Sequence, residues 1–586
     1  MLLYTENIFR NLGNRLTLAG RTASRRNFLL TRDSKYNAFQ NGFRRVITIK
    51  KNRLFVLAVA LLLIVSVTLT GCAGPQPAQP PTEMKTSWNV GAEPKTLDPS
   101  LSTGIPEAIV ELAMFEGLTR LGPGDKVEPG IAASWDISPD GTKFTFKLRD
   151  AKWSNGDPIT AVDFKYSWLR ALNPDTASEY AYQLFYIKGG EAYNSKKGKA
   201  EDVGIKVVDP KTLEVTLEAP TPYFLSLTSF HTLMPVNKKV VEGNKDWSLK
   251  PETIVGNGPF KMKEWKHNDQ IVMVKNDNYW DAGSVKLTEL TFKLIEDAKA
   301  ALTAFEGGQL DGTDNIPVED IDRLKAAKSL ITAPYIGTYY YRFNVTKKPF
   351  DNVKARKALT LAIDRKTLID KVIKGGQTPA LAFTPNGLPD AEAGSVYRKV
   401  GGDFIKEDVA EAKKLLAEAG YPDGKGFPEV SILYNTSSNH KKIAEAIQDM
   451  WKKNLGIDVK LRNEEWKVYL ESQKKLNYNI SRAGWIGDYL DPMTFMDMWV
   501  KDGGNNQTGW SNAEYDKLIK DTANKSGDQK VRMKAMHDAE KILMDEMPIM
   551  PIYYYVNNYV LKDYVKGVFR SSLGPLDFKK ATVDKK

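Results

Sequence analysis

The stretch Val430-Ser-Ile-Leu-Tyr434 is apolar and rich in strand-forming residues, and Ile457-Asp-Val-Lys-Leu461 repeats this character further along the chain. The segment His440–Leu455 lies between them, followed by Gly456, a residue that commonly ends helices. A helix is predicted here because apolar residues recur three or four positions apart, namely Ile443, Ile447 and Trp451. Strand, helix and strand in this order form a βαβ unit.

Other segments extend the same mixed pattern. Phe144–Leu148 alternates apolar and polar residues with period two, which indicates a half-buried strand. Thr160 and Asp163 have the spacing of a capping box at the start of a helix. Two further helices are predicted at Asp408–Ala419 and Asn352–Ile363. The fold class is therefore α/β, arranged in mixed lobes.

Length and composition describe an ordinary globular protein with more than one lobe. The chain has 586 residues, of which 42% are hydrophobic and 26% are charged, and it contains one cysteine. Single hydrophobic cores stop growing at roughly 250–300 residues, so two or three lobes are expected. One cysteine cannot build a disulfide framework or a thiolate metal cluster.

The positive charge is confined to the start of the chain. Residues 1–53 hold twelve lysines and arginines against two acidic residues, so they carry ten units of the net +11. Residues 54–586 are almost neutral, whereas a protein that binds a phosphate backbone needs basic residues on its folded surface. We therefore expect no nucleic-acid partner.

An export signal and a lipid anchor are predicted near the N-terminus. Basic residues precede the apolar run Leu54–Leu69, which is shorter than the ~20 residues of a membrane-spanning helix. Leu69-Thr-Gly-Cys72 resembles the bacterial lipoprotein box, in which Cys72 would be lipidated after removal of residues 1–71. Residues 72–85 would form an extended, proline-rich tether. We expect translation to start near Ile47–Lys50.

The sequence contains no constellation that is typical of an enzyme. It lacks the motifs of a nucleophilic serine elbow, a phosphate-binding loop and a zinc-binding helix. Its histidines are too scattered to suggest a metal site: His231, His267, His440 and His537. We expect no catalysis, no cofactor and no metal. The 25 tyrosines and 12 tryptophans suit a cleft that holds a varied ligand.

Five motifs, taken in order along the chain, resemble a known family. They are Ala92-Glu-Pro-Lys-Thr-Leu-Asp-Pro99, Phe115-Glu-Gly-Leu118, Ala151-Lys-Trp-Ser-Asn-Gly-Asp-Pro158, Gly256-Asn-Gly-Pro-Phe260 and Ala362-Ile-Asp-Arg365. Together they resemble the oligopeptide-binding proteins of ABC importers, which belong to family 5 of the extracytoplasmic solute-binding proteins. The resemblance runs from about Trp88 to the end of the chain.

This resemblance implies a fold like that of type II periplasmic binding proteins, with two lobes, an additional domain and discontinuous domains. The lobes would enclose a peptide and close by hinge motion. The expected boundaries are residues 86–115, 241–340 and 557–586 for lobe I, 116–240 for the additional domain II, and 341–556 for lobe III, with a peptide-binding strand at 481–489.

The resemblance also implies which residues bind the charged ends of a peptide. Asp488 matches the carboxylate that pairs with the free α-amino group, the one charge that every unmodified peptide shares. A buried ammonium needs such an anion. Arg482 and His440 match cationic positions that serve the carboxylates of peptides of different length, although His440 could equally be an ordinary residue at the start of a helix.

Main-chain and aromatic contacts complete the implied site. Gly484 and Ile486 match positions whose backbone pairs with the peptide, which makes binding tolerant of side chains. The opposing side and the aromatic walls of the cleft would be formed by Thr103, Gly104, Ile105, Tyr180, Trp466 and Trp485. The chain departs from the family pattern at Gln473, where an arginine is expected, so the preferred peptide length and the carboxylate anchor stay open.

The expected function is capture of oligopeptides outside the cell and delivery to an ABC permease. The protein would be a monomer held on the outer face of the cell membrane by its lipid, in a Gram-positive cell. Three alternatives stay open: a receptor of the same fold for a nickel chelate, haem or an oligosaccharide; a secreted hydrolase; and a signalling or chaperone lipoprotein.

Overall fold

The computed structural model describes residues 83–585, all of which belong to the compact unit Thr82–Lys586. Cys72, the signal segment and the proline-rich tether lie outside the described residues. Within the described part, no helix combines the length and the apolar character that crossing a membrane requires.

The predicted βαβ unit is present. Strands Val430–Asn435 and Val459–Glu464 are parallel, and helix Ser438–Leu455 joins them. The helix begins at the N-cap Ser437 and ends at Gly456, whose φ of +69° is a conformation that glycine adopts without strain. The second strand begins two residues later than the sequence predicts, because Ile457 is buried in the turn that follows the helix.

The unit belongs to an eleven-stranded sheet. Two strands of 13 residues each, Ile331–Phe343 and Ile549–Leu561, pair side by side near its centre. Their register shifts between Pro334 and Thr338. In order across the sheet, the strands are Val459–Glu464, Val430–Asn435, Ile480–Ile486, Ile331–Phe343, Ile549–Leu561, Gly312–Thr313, Lys85–Asn89, Glu289–Lys293, Gln270–Lys275 and Phe260–Lys266, and Thr378–Pro379 pairs with Ile549–Leu561 from outside this order.

A separate four-stranded sheet contains the predicted strand at Phe144–Leu148. Its strands, in order, are Ala132–Ile137, Lys143–Leu148, Thr212–Thr216 and Ile205–Asp209. The predicted capping box precedes helix Ala161–Leu172, where the main-chain N–H of Thr160 donates to Asp163 at 2.8 Å. Three two-stranded sheets pair Thr119–Gly122 with Lys126–Pro129, Val565–Lys566 with Thr582–Val583, and Phe569–Arg570 with Leu576–Asp577.

Helices pack on these sheets and start where the sequence provides caps. Asn352 and Asp408 accept main-chain N–H groups at the starts of Val353–Leu361 and Val409–Glu418. The other α-helices are Ile105–Met114, Gly190–Asn194, Phe224–Leu227, Lys238–Gly243, Ala298–Glu306, Ile321–Ala326, Arg365–Thr367, Tyr397–Gly401, Trp466–Lys474, Met493–Met496, Ala513–Lys517 and Gln529–Glu546.

Candidate functional site

A cavity with a volume of about 460 Å³ lies between the loop before helix Ile105–Met114 and the strand Ile480–Ile486. Its lining comes from segments that are far apart in the chain. All eleven residues that the sequence analysis assigns to peptide binding line it: Thr103, Gly104, Ile105, Tyr180, His440, Trp466, Arg482, Gly484, Trp485, Ile486 and Asp488.

The strand Ile480–Ile486 leaves part of one edge unpaired. Its pairing with Val430–Asn435 stops at Ser481. Its pairing on the other edge, with Ile331–Phe343, continues to Ile486. The edge next to residues 482–486 therefore borders the cavity with no neighbouring strand in the described part of the chain.

The main-chain groups of Gly484 and Ile486 point to this open edge. The N–H of Gly487 donates to the carbonyl oxygen of Ile336 at 2.9 Å, on the opposite edge. Successive residues of a strand direct their N–H and C=O groups to alternate edges, so the even-numbered residues face the cavity. An extended ligand can add to the sheet here as a further strand.

Side chains of this strand alternate between two faces of the sheet. Ser481, Ala483 and Trp485 are buried, whereas the residues between them are partly or fully exposed to the cavity. A ligand strand on the open edge would likewise direct its side chains to both faces in turn. Side chains of a strand bound at this edge would therefore lie alternately on the two faces of the sheet.

Asp488 lies just beyond the end of the strand and is half-buried. Its carboxylate accepts hydrogen bonds from the side-chain amide of Gln183 at 2.7 Å and from the Tyr180 hydroxyl at 3.3 Å. Both donors are neutral, and no cationic side chain among residues 83–585 pairs with this carboxylate. Desolvation raises the pKa of Asp488 well above its usual range, and the nearby Asp497 raises it further.

Arg482 is a cation without an acidic partner on the described part of the chain. Its guanidinium donates to the Tyr555 hydroxyl at 2.8 Å and to the Asn435 side chain at 3.3 Å. It also lies 4.6 Å from the centre of the Tyr339 ring, a cation–π distance. The donors that these contacts leave free can reach a ligand carboxylate from the cavity wall.

His440 occupies the first turn of helix Ser438–Leu455 and also lines the cavity. Its Nδ1 lies 3.3 Å from the Tyr339 hydroxyl. Desolvation and the charge of Arg482 lower the pKa of His440 well below its usual value, so the ring is neutral near pH 7. The positive charge on this part of the cavity wall therefore comes from Arg482, and a role of His440 in peptide binding stays a prediction. A neutral imidazole can still donate one N–H to a carboxylate.

The opposite wall closes tightly on the loop before helix Ile105–Met114. Gly104 is the N-cap of this helix, and a Cβ atom there would lie 2.8 Å from Cζ2 of Trp466 and would also clash with Glu107 Oε2. The Trp466 indole N–H donates to Glu107 Oε1 at 3.3 Å, and its ring stacks on Tyr469. Only glycine fits at position 104 while the two walls meet.

The remaining predicted aromatic residues form the wall near Asp488. Tyr180 and Trp485 lie with ring centres 6.1 Å apart. Trp485 is only 6% exposed, and its indole N–H donates to the carbonyl oxygen of Thr494 at 2.7 Å. Tyr180 is buried to the same extent and reaches the site through its hydroxyl group, which donates to the Asp488 carboxylate.

Several residues in or next to the cavity were not identified by the sequence analysis. Gln183 donates a hydrogen bond to the Asp488 carboxylate although the two residues are 305 positions apart, and no local sequence pattern predicts such a contact. His231 lines the wall beside Tyr180, and desolvation lowers its pKa to about 4. Arg342, Gln473 and Gln507 also border the cavity. Of these three residues, the sequence analysis pointed only to Gln473, because it departs from the family pattern.

Comparison with known proteins places this geometry in a family. Residues 126–507 match the family model described as bacterial extracellular solute-binding proteins, family 5 Middle. The chain is 41% identical over 543 residues to the oligopeptide-binding protein OppA of Bacillus subtilis (strain 168), covering 89% of this chain and 98% of that protein. It is 42% identical over 489 residues to the dipeptide-binding protein DppE of the same organism, covering 83% and 90%.

A solved structure agrees with the sequence relatives. The crystal structure of Haemophilus influenzae OppA in complex with RPPGFSPFR superposes on this protein with a TM-score of 0.80 and is 37% identical in sequence. The match covers 86% of this chain and 100% of that chain. The fold is therefore the two-lobed α/β fold of type II binding proteins, as the resemblance predicts. The chain belongs to family 5 of the bacterial extracellular solute-binding proteins.

Proposed function

We propose that this protein binds oligopeptides outside the cytoplasm and delivers them to the permease of an ABC importer. One observation carries the proposal. A half-buried carboxylate with only neutral donors, Asp488, lies at the end of an open strand edge inside the cavity. An extended peptide with a free α-amino group supplies both the missing cation and the missing strand.

In this proposal, Asp488 binds the α-ammonium group, and the main-chain groups of Gly484 and Ile486 pair with the peptide backbone. Arg482 binds a peptide carboxylate, and His440 donates to the carboxylate of a peptide of different length. Because the main chain supplies the pairing, the affinity depends little on side chains. Water in the side-chain pockets adapts to different residues. The names of the relatives, oligopeptide-binding OppA and dipeptide-binding DppE, support this ligand class.

The protein itself performs no chemistry in this proposal, and the transporter's other subunits use ATP. We further propose that lobe I comprises residues 86–115, 241–340 and 557–586, that residues 116–240 form domain II, and that residues 341–556 form lobe III. The lobes are connected by the long strands Ile331–Phe343 and Ile549–Leu561, where the register shift offers a point of bending. Gly104 already lies against Trp466 in this structure, so opening at the hinge would separate these two walls and admit the ligand.

We also propose that Cys72 carries the lipid that holds the protein at the outer face of the membrane. Metabolic labelling with palmitate, followed by membrane fractionation, tests this part. We expect labelled protein in the membrane fraction, and unlabelled protein from a Cys72→Ser variant. Equal labelling of the variant would refute a lipid at Cys72.

Native mass spectrometry of the unit Thr82–Lys586, followed by sequencing of the released ligand, tests the peptide function. Co-purified peptides with free amino termini, or uptake of peptides from a defined pool, are the expected result. A protein that ignores the peptide pool but binds a nickel chelate, haem or an oligosaccharide would keep the fold and refute the function. Loss of peptide uptake after deletion of the gene would separate transport from a signalling or chaperone role.

A further inference from the structure

A second guanidinium, that of Arg342, borders the same cavity on the other face of the sheet. Arg342 lies on strand Ile331–Phe343 and pairs with Ser481, whereas Tyr341 pairs with Arg482. Directly paired residues of antiparallel strands share a face. Arg342 is therefore on the face of Ser481 and Trp485, opposite to the face of Arg482. It is 5% exposed and lines the cavity.

The Arg342 side chain is only partly satisfied. It donates to Gln507 Oε1 at 2.6 Å and, over a longer distance of 3.4 Å, to the carbonyl oxygen of Asn505. Its Nε–H has no partner. An arginine has five N–H donors, so three of them make no hydrogen bond within the described part of the chain.

No carboxylate among residues 83–585 forms an ion pair with Arg342. Gln507 accepts a hydrogen bond from Arg342, and its own side-chain amide donates to the Glu179 carboxylate at 3.1 Å. The Glu179 carboxylate already pairs with Lys474 at 3.1 Å and with Lys95 at 3.9 Å. A buried cation without an anion is costly, and a ligand that brings a carboxylate removes this cost.

The alternation of side chains indicates which part of a peptide meets this pocket. With its α-amino group at Asp488, a peptide that runs antiparallel to the strand has its first residue opposite Ile486. Its second residue then lies opposite Trp485, and its side chain points to the face of Arg342. The main-chain groups of Ile486 and Gly484 pair with the first and third peptide residues. The side chain of the second peptide residue is therefore free to enter the part of the cavity that Arg342 lines.

We propose that Arg342 binds a carboxylate on the side chain of the second peptide residue, so that the receptor prefers glutamate or aspartate at that position. The groups that accept hydrogen bonds from Arg342, the Gln507 side chain and the Asn505 carbonyl group, are both neutral. Neither competes for the guanidinium with a negative charge. Arginine also binds carboxylates with two parallel hydrogen bonds, which gives more specificity than a lysine would. This inference rests on the proposed peptide function.

Isothermal titration calorimetry with three peptides tests the proposal: Ala-Glu-Ala, Ala-Gln-Ala and Glu-Ala-Ala. Glutamine has almost the size of glutamate but no charge, so the ratio of the first two affinities isolates the carboxylate. We expect the wild-type protein to bind Ala-Glu-Ala about 10- to 100-fold more tightly than Ala-Gln-Ala. It should also prefer Ala-Glu-Ala to Glu-Ala-Ala, because the first side chain points to the other face.

Two variants locate the effect. Arg342→Gln should bring the two affinities within about twofold of each other, whereas Arg482→Gln should weaken both tripeptides and preserve their ratio. Equal binding of Ala-Glu-Ala and Ala-Gln-Ala by the wild-type protein would overturn the proposal without any variant. A preference that survives in a folded Arg342→Gln protein would overturn it too. Failure to bind any of these tripeptides, together with no uptake of longer peptides from the defined pool, would instead refute the peptide function itself.

Discussion

Replacing Asp488 by asparagine removes one negative charge and changes little else. Asparagine has the same shape, so its amide can still accept a hydrogen bond from Gln183 and make one with Tyr180. A charge pair about 3 Å apart attracts by about 5–6 kcal/mol at an effective dielectric constant of about 20. Desolvation of the ammonium group offsets part of this energy. We expect a net loss of about 2–4 kcal/mol, the scale for removing one side of a buried, hydrogen-bonded charge pair.

This loss corresponds to an affinity for a pentapeptide about 30- to 1000-fold lower than that of the parent protein. Isothermal titration calorimetry at pH 7 measures it directly. The same peptide with an acetylated amino terminus completes a double-mutant cycle. Acetylation should weaken binding to the parent strongly and should have a much smaller effect on Asp488→Asn, since the charge that it removes no longer has a partner.

Asp449→Asn is the matched control, because this aspartate is exposed on helix Ser438–Leu455, away from the cavity. It should bind the pentapeptide like the parent protein. Equal affinity of Asp488→Asn and the parent for the free-amine peptide would refute the role of Asp488. So would equal effects of acetylation on the two proteins, because the ammonium would then lie elsewhere.

Three further changes give different readouts. Because the pKa of Asp488 is raised, peptide affinity should fall as the pH drops through the pKa of this carboxyl group, and binding should release a proton that calorimetry in two buffers detects. The affinity of N-acetylated peptides should not depend on pH in this way. The same pH dependence for both kinds of peptide would contradict the role of Asp488. Gly484→Ala places a Cβ atom 2.5 Å from the Tyr555 hydroxyl at the open strand edge. Peptide affinity should therefore fall about 3- to 10-fold, while the free energy of unfolding in urea changes little. Unchanged affinity would argue against pairing of the peptide backbone with this edge. Glu540→Ala leaves Arg398 buried without its partner at 2.7 Å and should lower the free energy of unfolding by about 3–5 kcal/mol in urea titrations, whereas a loss below about 1 kcal/mol would show that the pair is not stabilising.

Local sequence was sufficient for the elements that frame the site. The helix at Ser438–Leu455 follows from the spacing of its apolar residues, the cap before it and Gly456 after it, all within one short segment. The capping box of Thr160 and Asp163 is equally local. Such signals were reliable because hydrogen bonding and side-chain periodicity act between residues only a few positions apart.

The candidate residues of the cleft came from motifs that resemble a family, and the structure brings all eleven to one cavity. Their electrostatic state did not follow from those motifs. The pKa of His440 is lowered by burial and by the neighbouring Arg482, and the pKa of Asp488 is raised by burial and by Asp497. Charge and protonation depend on what surrounds a group in three dimensions.

The sequence by itself determined the α/β elements, their caps and the residue types available for binding a peptide. Only the tertiary structure decided which strand edge is open and which neutral groups donate hydrogen bonds to Asp488. It also decided that Arg342 and Arg482 have no acidic partner among the described residues. The contact between Gln183 and Asp488 joins residues 305 positions apart, and the one between Arg342 and Gln507 joins residues 165 positions apart. Such contacts exist only after distant segments have packed together, so burial and unbalanced charge cannot be read from any one stretch of the chain.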